Sequence, residues 1–163
     1  MEDFPVKGDV YRDFTDLFAG KEGFKTAMSG FMDMFDREIF DAVVCSESYG
    51  GMFGTALAAR LGKTVIPVRY GGGFPERTVS VECVNSRGTG TMEMPAGCIR
   101  PGMKTIIIAD VLATGRTTKA MIDLVEKQGG KVVRIGYIAE LEKYGAREKK
   151  VLKGYPFECL AAF

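Results

Sequence analysis

Apolar positions recur along the chain at two spacings. Phe24, Ala27, Met28, Phe31, Met34, Phe35 and Ile39 fall at helical spacing and predict an amphipathic helix whose stripe is core. Asp41-Ala42-Val43-Val44-Cys45 reads as a short buried strand that ends in Ser46-Glu47-Ser48-Tyr49-Gly50-Gly51. A second helix runs from about Met52 to Leu61 and stops at Gly62. Lys63 to Arg69 is another strand, and its Pro67 predicts an end or edge position. Thr105-Ile106-Ile107-Ile108-Ala109 is a continuous apolar run, as in a parallel strand covered on both faces. A helix from about Arg116 to Gln128 carries Ala120, Met121, Leu124 and Val125 on one face, and Lys131 to Ile138 is the next strand. This alternation predicts an α/β fold with a mainly parallel sheet flanked by helices.

Two stretches lack such periodicity. Asp3 to Gly20, broken by Pro5 and Gly8, reads as loop. From Tyr70 to Pro101, glycines and prolines interrupt a weak alternation of Val79, Val81, Met92 and Met94. That pattern predicts a mobile hairpin rather than packed core, and a stretch of this length inside a compact domain points to a lid or binding loop.

The length of 163 residues predicts a single domain, 1–163, able to bury a core without disulfides. Lys+Arg is 22 and Asp+Glu 21, a net charge of +1, which provides no field for nucleic acid or an anionic membrane. There is no histidine, which removes Ser-His and Cys-His nucleophile pairs and His-ligated metal sites. Cys45, Cys83, Cys98 and Cys159 form no CxxC and read as reduced thiols. The acidic start Met1-Glu2-Asp3-Phe4-Pro5 lacks a signal-peptide core, and no apolar run approaches membrane-spanning length. The expectation is a soluble, cytoplasmic protein. Glycine, at 21 of 163, is enriched over the usual 7% or so, so the backbone bends sharply or approaches a ligand closely.

The chemistry concentrates in Ile106-Ile107-Ile108-Ala109-Asp110-Val111-Leu112-Ala113-Thr114-Gly115-Arg116-Thr117-Thr118. A buried strand ends, a carboxylate appears, and a loop of small residues runs into a helix N-terminus. The unpaired N–H groups of such a terminus, with the helix dipole, bind anions, and Gly115 lets the backbone curl round a phosphate. Thr114, Thr117 and Thr118 offer hydroxyl donors, and Asp110 lies where open α/β sheets bind ligands. The same segment also reads as an ordinary capped helix with Thr114 as N-cap. It is neither a Walker loop nor a dinucleotide loop.

Four hydrophobics, an acidic position, small residues and Gly-x-Thr resemble the phosphoribosyl-pyrophosphate signature of type I phosphoribosyltransferases. Asp3-Phe4-Pro5-x-x-Gly8-x-x-Tyr11-Arg12-Asp13 resembles the opening of the adenine phosphoribosyltransferases within that family, and Gly145-Ala146-Arg147-Glu148-Lys149 is similar to a later segment of theirs. The resemblance implies a small hood, a flexible lid hairpin over about 71–97, and transfer of ribose 5-phosphate from phosphoribosyl pyrophosphate to a purine. It implies Mg²⁺ bound mainly through phosphoribosyl pyrophosphate with no direct protein ligand, small-molecule partners (purine base, phosphoribosyl pyrophosphate, AMP), and a homodimer. By position, Ala113, Thr114, Gly115, Arg116 and Thr117 would hold the 5′-phosphate. Asp110 would accept from a ribose hydroxyl and Arg69 would contact phosphate oxygens. Ser48, Tyr49 and Gly50 would form the pyrophosphate loop, and Val10, Tyr11 and Arg12 the base pocket, with Tyr11 stacked on the purine.

The departures from the family pattern cluster on one side. Ala109 stands where the first of two adjacent acids is usual, and Tyr49 where arginine is usual. Tyr70-Gly71-Gly72-Gly73 lacks two lysines, Ser86 falls where a glutamate is expected, and Arg116 replaces glycine. Arg77, Arg87 and Arg116 could replace the missing cations, and Glu82 or Glu93 the missing carboxylate. The 5′-phosphate loop is kept and the pyrophosphate side is stripped. That asymmetry leaves two readings, a transferase with a remodelled site and a catalytically weak relative that binds a nucleotide. A transferase for another base is a further alternative.

Overall fold

The computed structural model describes residues 13–85, 88–145 and 151–163. In chain order the elements are α1 (Thr15–Ala19), α2 (Lys21–Phe35), β1 (Ala42–Ser46), α3 (Tyr49–Leu61), β2 (Thr64–Tyr70), β3 (Thr78–Asn85), β4 (Gly88–Pro95), β5 (Lys104–Leu112), α4 (Arg116–Lys127), β6 (Lys131–Glu140), a single 3-10 turn (Glu142–Tyr144) and β7 (Phe157–Ala162). Because successive strand side chains point to opposite faces, the apolar runs serve two cores at once. Val43, Cys45, Ile106 and Ile108 pack with Phe31, Phe53 and Leu57 of α2 and α3. Val44, Ile107, Ile135 and Tyr137 pack with Met121, Leu124 and Val125 of α4.

The strands form one seven-stranded sheet in the order β3-β4-β2-β1-β5-β6-β7. From β2 to β7 neighbours run parallel, and the β3–β4 hairpin is antiparallel, so the mainly parallel α/β architecture expected from the sequence is the one built. The hairpin joins β2 only through Arg69–Glu93 and Tyr70–Met92. Pro67 pairs with Cys45 below that junction, so its missing N–H falls on a locally free edge, although β2 is internal in strand order.

Four local expectations are corrected. The loop expected from Asp3 to Gly20 contains α1, because Phe14, Leu17 and Phe18 recur at helical spacing and pack on the α2–α3 core. The α2 stripe stops at Phe35; Asp36-Arg37-Glu38 turns the chain, and Ile39 is 78% exposed. The hairpin is not loose at its base: Cys83, Met92 and Met94 are buried against α4. Gln128 fastens that base, accepting from Gly97 N at 2.7 Å and donating to the Pro95 carbonyl at 3.3 Å. Finally, β7 completes the sheet beside β6, a strand that the apolar pattern does not predict. Among the described residues, no helix is long and apolar enough to cross a membrane.

Candidate active site

Two helix N-termini open at the carboxyl ends of adjacent strands, α3 after β1 and α4 after β5. Strand β5 continues through Val111 and Leu112, so the turn into α4 is only Ala113-Thr114-Gly115. Gly115, at φ +76°, is the N-cap, and no side chain caps the helix, which removes Thr114 from the capping role. The left-handed backbone favours glycine here. Gly115 is buried beneath Val151 and Leu152, while Ala113, Thr114 and Thr117 are half-buried and Arg116 is exposed. Thr118 does not face the loop. It is buried, and its hydroxyl accepts from Tyr137 at 2.7 Å. Thr117 bonds the Cys83 thiol of β3, which partly offsets the upward push of burial on that thiol's pKa.

At α3 the donors are already used. The Ser48-Tyr49-Gly50 stretch, expected as loop, is the N-cap and first turn of the helix. Asp110 Oδ1 accepts from Ser48 Oγ at 2.7 Å and from the Gly50 N–H, and the Tyr49 backbone also bonds the carboxylate. Burial raises the Asp110 pKa and these bonds oppose the rise. Gly50 is required by proximity: a Cβ there would lie 2.8 Å from Ala109 Cα and from Asp110 Oδ1. Strand alternation turns Ala109 to the other face, into the α4-side core. The acid that remains therefore faces α3, and the position of the missing acid faces the α4 side.

Tyr49 contributes backbone to this turn but sends its ring elsewhere, stacking on Phe18 at 5.2 Å with its hydroxyl 3.0 Å from Asp13 Oδ1. A cleft of about 530 Å³ beside the turn is lined by Ser46, Glu47, Ser48, Met52, Pro67 and Arg69. Arg69 is held by its own chain: Nη1 donates to the Gly73 carbonyl at 2.6 Å, and the guanidinium lies 5.0 Å over the Phe74 ring. Its Nε is 3.2 Å from Glu47 Oε2, an ion pair by distance without hydrogen-bond alignment. A Cβ on Gly73 would meet Arg69 Cδ at 2.8 Å, so the glycine in place of a lysine makes room for this arrangement. Glu93 is no free substitute carboxylate. It is buried, and it accepts from Gly73 N at 2.7 Å, Phe74 N at 3.3 Å and Thr78 Oγ1 at 3.2 Å.

Asp110, Ser48, Gly50 and the 113–117 turn thus meet at one end of the sheet, with Arg69 beside the cleft. Arg77 and Glu82 are exposed on the hairpin side. Val10, Tyr11 and Arg12, together with Ser86, Arg87 and 146–150, lie outside the described residues. Two participants were missed in the sequence, Glu47 and Asp13. Their signal was position alone: Glu47 sits between the two serines of the α3 turn, and Asp13 directly follows Val10-Tyr11-Arg12 in sequence.

Residues 19–160 match the phosphoribosyl transferase domain family. The chain is 41% identical over 155 residues to an adenine phosphoribosyltransferase of Lachnoclostridium phytofermentans, covering 95% of this chain and 88% of that one. It is 41% identical over 164 residues to the adenine phosphoribosyltransferase of Thermotoga maritima, covering 100% and 93%. The crystal structure of adenine phosphoribosyltransferase from Thermoanaerobacter pseudethanolicus superposes with a TM-score of 0.94 at 34% identity, covering 100% of this chain and 94% of that one.

Proposed function

The chain belongs to the phosphoribosyl transferase domain family, and within it we propose that the protein transfers ribose 5-phosphate from phosphoribosyl pyrophosphate to adenine, giving AMP and pyrophosphate. The observation that carries this reading is the uncapped α4 N-terminus behind the left-handed Gly115, in a chain similar to adenine phosphoribosyltransferases along its whole length. The 5′-phosphate sits on the N–H groups of the 113–117 turn, with Thr114 and Thr117 as further donors. A purine nitrogen forms its bond to C1′ as the bond from C1′ to pyrophosphate breaks, through an oxocarbenium-like state. Catalysis of this kind is positioning and charge stabilisation, which asks for no histidine. Asp110 faces the ribose from the end of β5, Arg69 faces the leaving pyrophosphate, and Val10, Tyr11 and Arg12 take the base. The 71–97 hairpin covers the reaction and keeps water from the cation.

Mg²⁺, bound mainly through phosphoribosyl pyrophosphate, would supply positive charge at the leaving group. Asp110 and Glu47 are carboxylates beside that space, and among the described residues no group of three or more acidic or thiol side chains stands together to hold an ion. The resemblance to the family supports a cytoplasmic homodimer that works on these small molecules as a single-domain protein.

A second reading, a relative that binds AMP without efficient turnover, is favoured by one observation: the pyrophosphate side is paired internally, Asp110 with the α3 turn and Arg69 with Glu47 and Gly73. A chromatographic assay of AMP from adenine, phosphoribosyl pyrophosphate and Mg²⁺ at micromolar protein separates the two. Multiple turnovers that vanish in Asp110→Asn support the transferase. No AMP, from a protein whose melting temperature AMP still raises, supports the binding relative.

A further inference from the structure

Glu93 is a carboxylate buried in the base of the hairpin, at 8% exposure, and the chemistry above gives it no part. Strand alternation turns its neighbours Met92 and Met94 onto α4 and Glu93 to the opposite face. It is the register partner of Arg69, in one of the two residue pairs that join β4 to β2. Its Oε1 accepts from Gly73 N at 2.7 Å and Phe74 N at 3.3 Å, and its Oε2 from Thr78 Oγ1 at 3.2 Å. The same two turn residues hold Arg69. Its Nη1 donates to the Gly73 carbonyl at 2.6 Å, and its guanidinium lies 5.0 Å over the Phe74 ring. Gly73 and Phe74 therefore link a buried acid to an arginine that lines the cleft. Burying a carboxylate is costly unless donors meet it, and two of the three donors here belong to the turn that carries the partners of Arg69.

We propose that Glu93 is a positioning residue for Arg69: by fixing Gly73 and Phe74 it aims the guanidinium along the cleft, and affinity for pyrophosphate depends on it. The inference deepens the transferase reading and rests on it for the group that Arg69 meets. Glu47 does not serve this purpose, because its ion pair with Arg69 Nε lacks hydrogen-bond alignment. The direction of the guanidinium comes from the turn, and the turn is held by Glu93. An arginine side chain released from such partners has to be ordered again when an anion binds. Losing the buried acid should therefore weaken pyrophosphate by about five- to tenfold.

Calorimetry on the full chain tests this without turnover, with inorganic pyrophosphate in the presence of Mg²⁺ and, separately, with ribose 5-phosphate. Glu93→Met keeps the bulk of the side chain and removes its oxygens. The Kd for pyrophosphate should rise about five- to tenfold, and that for ribose 5-phosphate should move by less than about twofold. Glu93→Gln retains an acceptor oxygen for the Gly73 and Phe74 N–H groups and should stay within about twofold of the parent for both ligands. A general loosening of the fold would weaken both ligands together. Should Glu93→Met melt too low to titrate, Glu93→Asp, shorter by one methylene, withdraws the carboxylate from the turn and should give the same split. Arg69→Gln should weaken pyrophosphate at least as much, and Glu93→Met added to it should cost nothing further. If the unaltered protein binds no pyrophosphate, or Arg69→Gln leaves that binding unchanged, the role given to Arg69 fails and the inference fails with it. If Arg69→Gln weakens pyrophosphate while Glu93→Met leaves it unchanged, weakens both ligands equally, or adds its full effect to Arg69→Gln, the inference alone is overturned.

Discussion

The two helix starts at the carboxyl end of the sheet share a geometry and differ in what meets their donors. At α4 the turn contains Gly115 at φ +76° and no side chain caps the first-turn N–H groups. At α3 the Asp110 carboxylate already lies on Ser48 and the Gly50 N–H, as an anion supplied by the neighbouring strand. The physics of orphaned N–H groups and helix dipole is the same in both. One terminus has no capping side chain, as the proposed 5′-phosphate site requires, and the other is satisfied from within. Of the departures from the family pattern, Tyr49 lies at the second terminus and Arg116 at the first, while Ala109 turns from β5 into the α4-side core.

The largest expected effect breaks the internal pairing. Asp110→Asn should lower kcat/KM for AMP formation by about 10²-fold or more, the scale for removing one preorganised charge from a reacting centre. The same change should not weaken the fold. Burial raises the Asp110 pKa above 3.8, so the native state holds the proton more tightly than the unfolded chain does. That contribution is full below the unfolded value and is lost as pH rises through the native one. Asparagine carries no charge to bury, so the variant should melt higher than the parent near pH 7.5. The difference should shrink as pH is lowered towards 4. Calorimetric melts across that range check the sign, and a variant that melts lower at every pH would mean the charged form is the one α3 needs.

At the open terminus the comparable change is Gly115→Ala. A side chain at φ +76° is strained by about 1 kcal/mol, while the methyl group itself would make only ordinary contact with Leu152 and Val151 at 3.4–3.5 Å. The Kd for AMP should weaken about tenfold by calorimetry, with ribose 5-phosphate weakened equally because the defect is at the phosphate. Gly50→Ala at the occupied terminus should act differently. Its Cβ meets Ala109 backbone at 2.8 Å, so α3 must shift, and the melt should fall by the equivalent of about 1–3 kcal/mol.

The sheet and the turn that leads into α4 were legible because their signals are local. The unbroken Ile106-Ile107-Ile108 run marks a strand covered on both faces, and Gly115 marks the turn that follows it. What could not be seen were features set by long-range packing. Met92 and Met94 alternate too weakly among glycines to announce a buried face, yet α4 covers them. Thr118 sits among three threonines that look alike in sequence, and only the position of Tyr137 on β6 turns it into the core. Asp110 was identifiable as a candidate acid, but its partners, 60 and 62 positions away, were not. In sequence Glu93 reads as a spare carboxylate because nothing local shows that Gly73, Phe74 and Thr78 converge on it.

The smallest effect concerns Glu47, which pairs with Arg69 at 3.2 Å beside the cleft. Both side chains are substantially exposed, so the pair contributes little to stability, and Glu47→Gln should leave the melting temperature nearly unchanged. Its charge still lies beside the guanidinium proposed to meet the pyrophosphate. Removing it should lower KM for phosphoribosyl pyrophosphate by about two- to threefold, an effect that fades as added salt screens the site. KM for adenine should not move. Arg69 would keep its bond to the Gly73 carbonyl and its place over Phe74 in this variant, so the guanidinium stays oriented without the carboxylate. A rise in KM for phosphoribosyl pyrophosphate instead would show that Glu47 aims Arg69, and that the pairing on this side serves the substrate and does not compete with it.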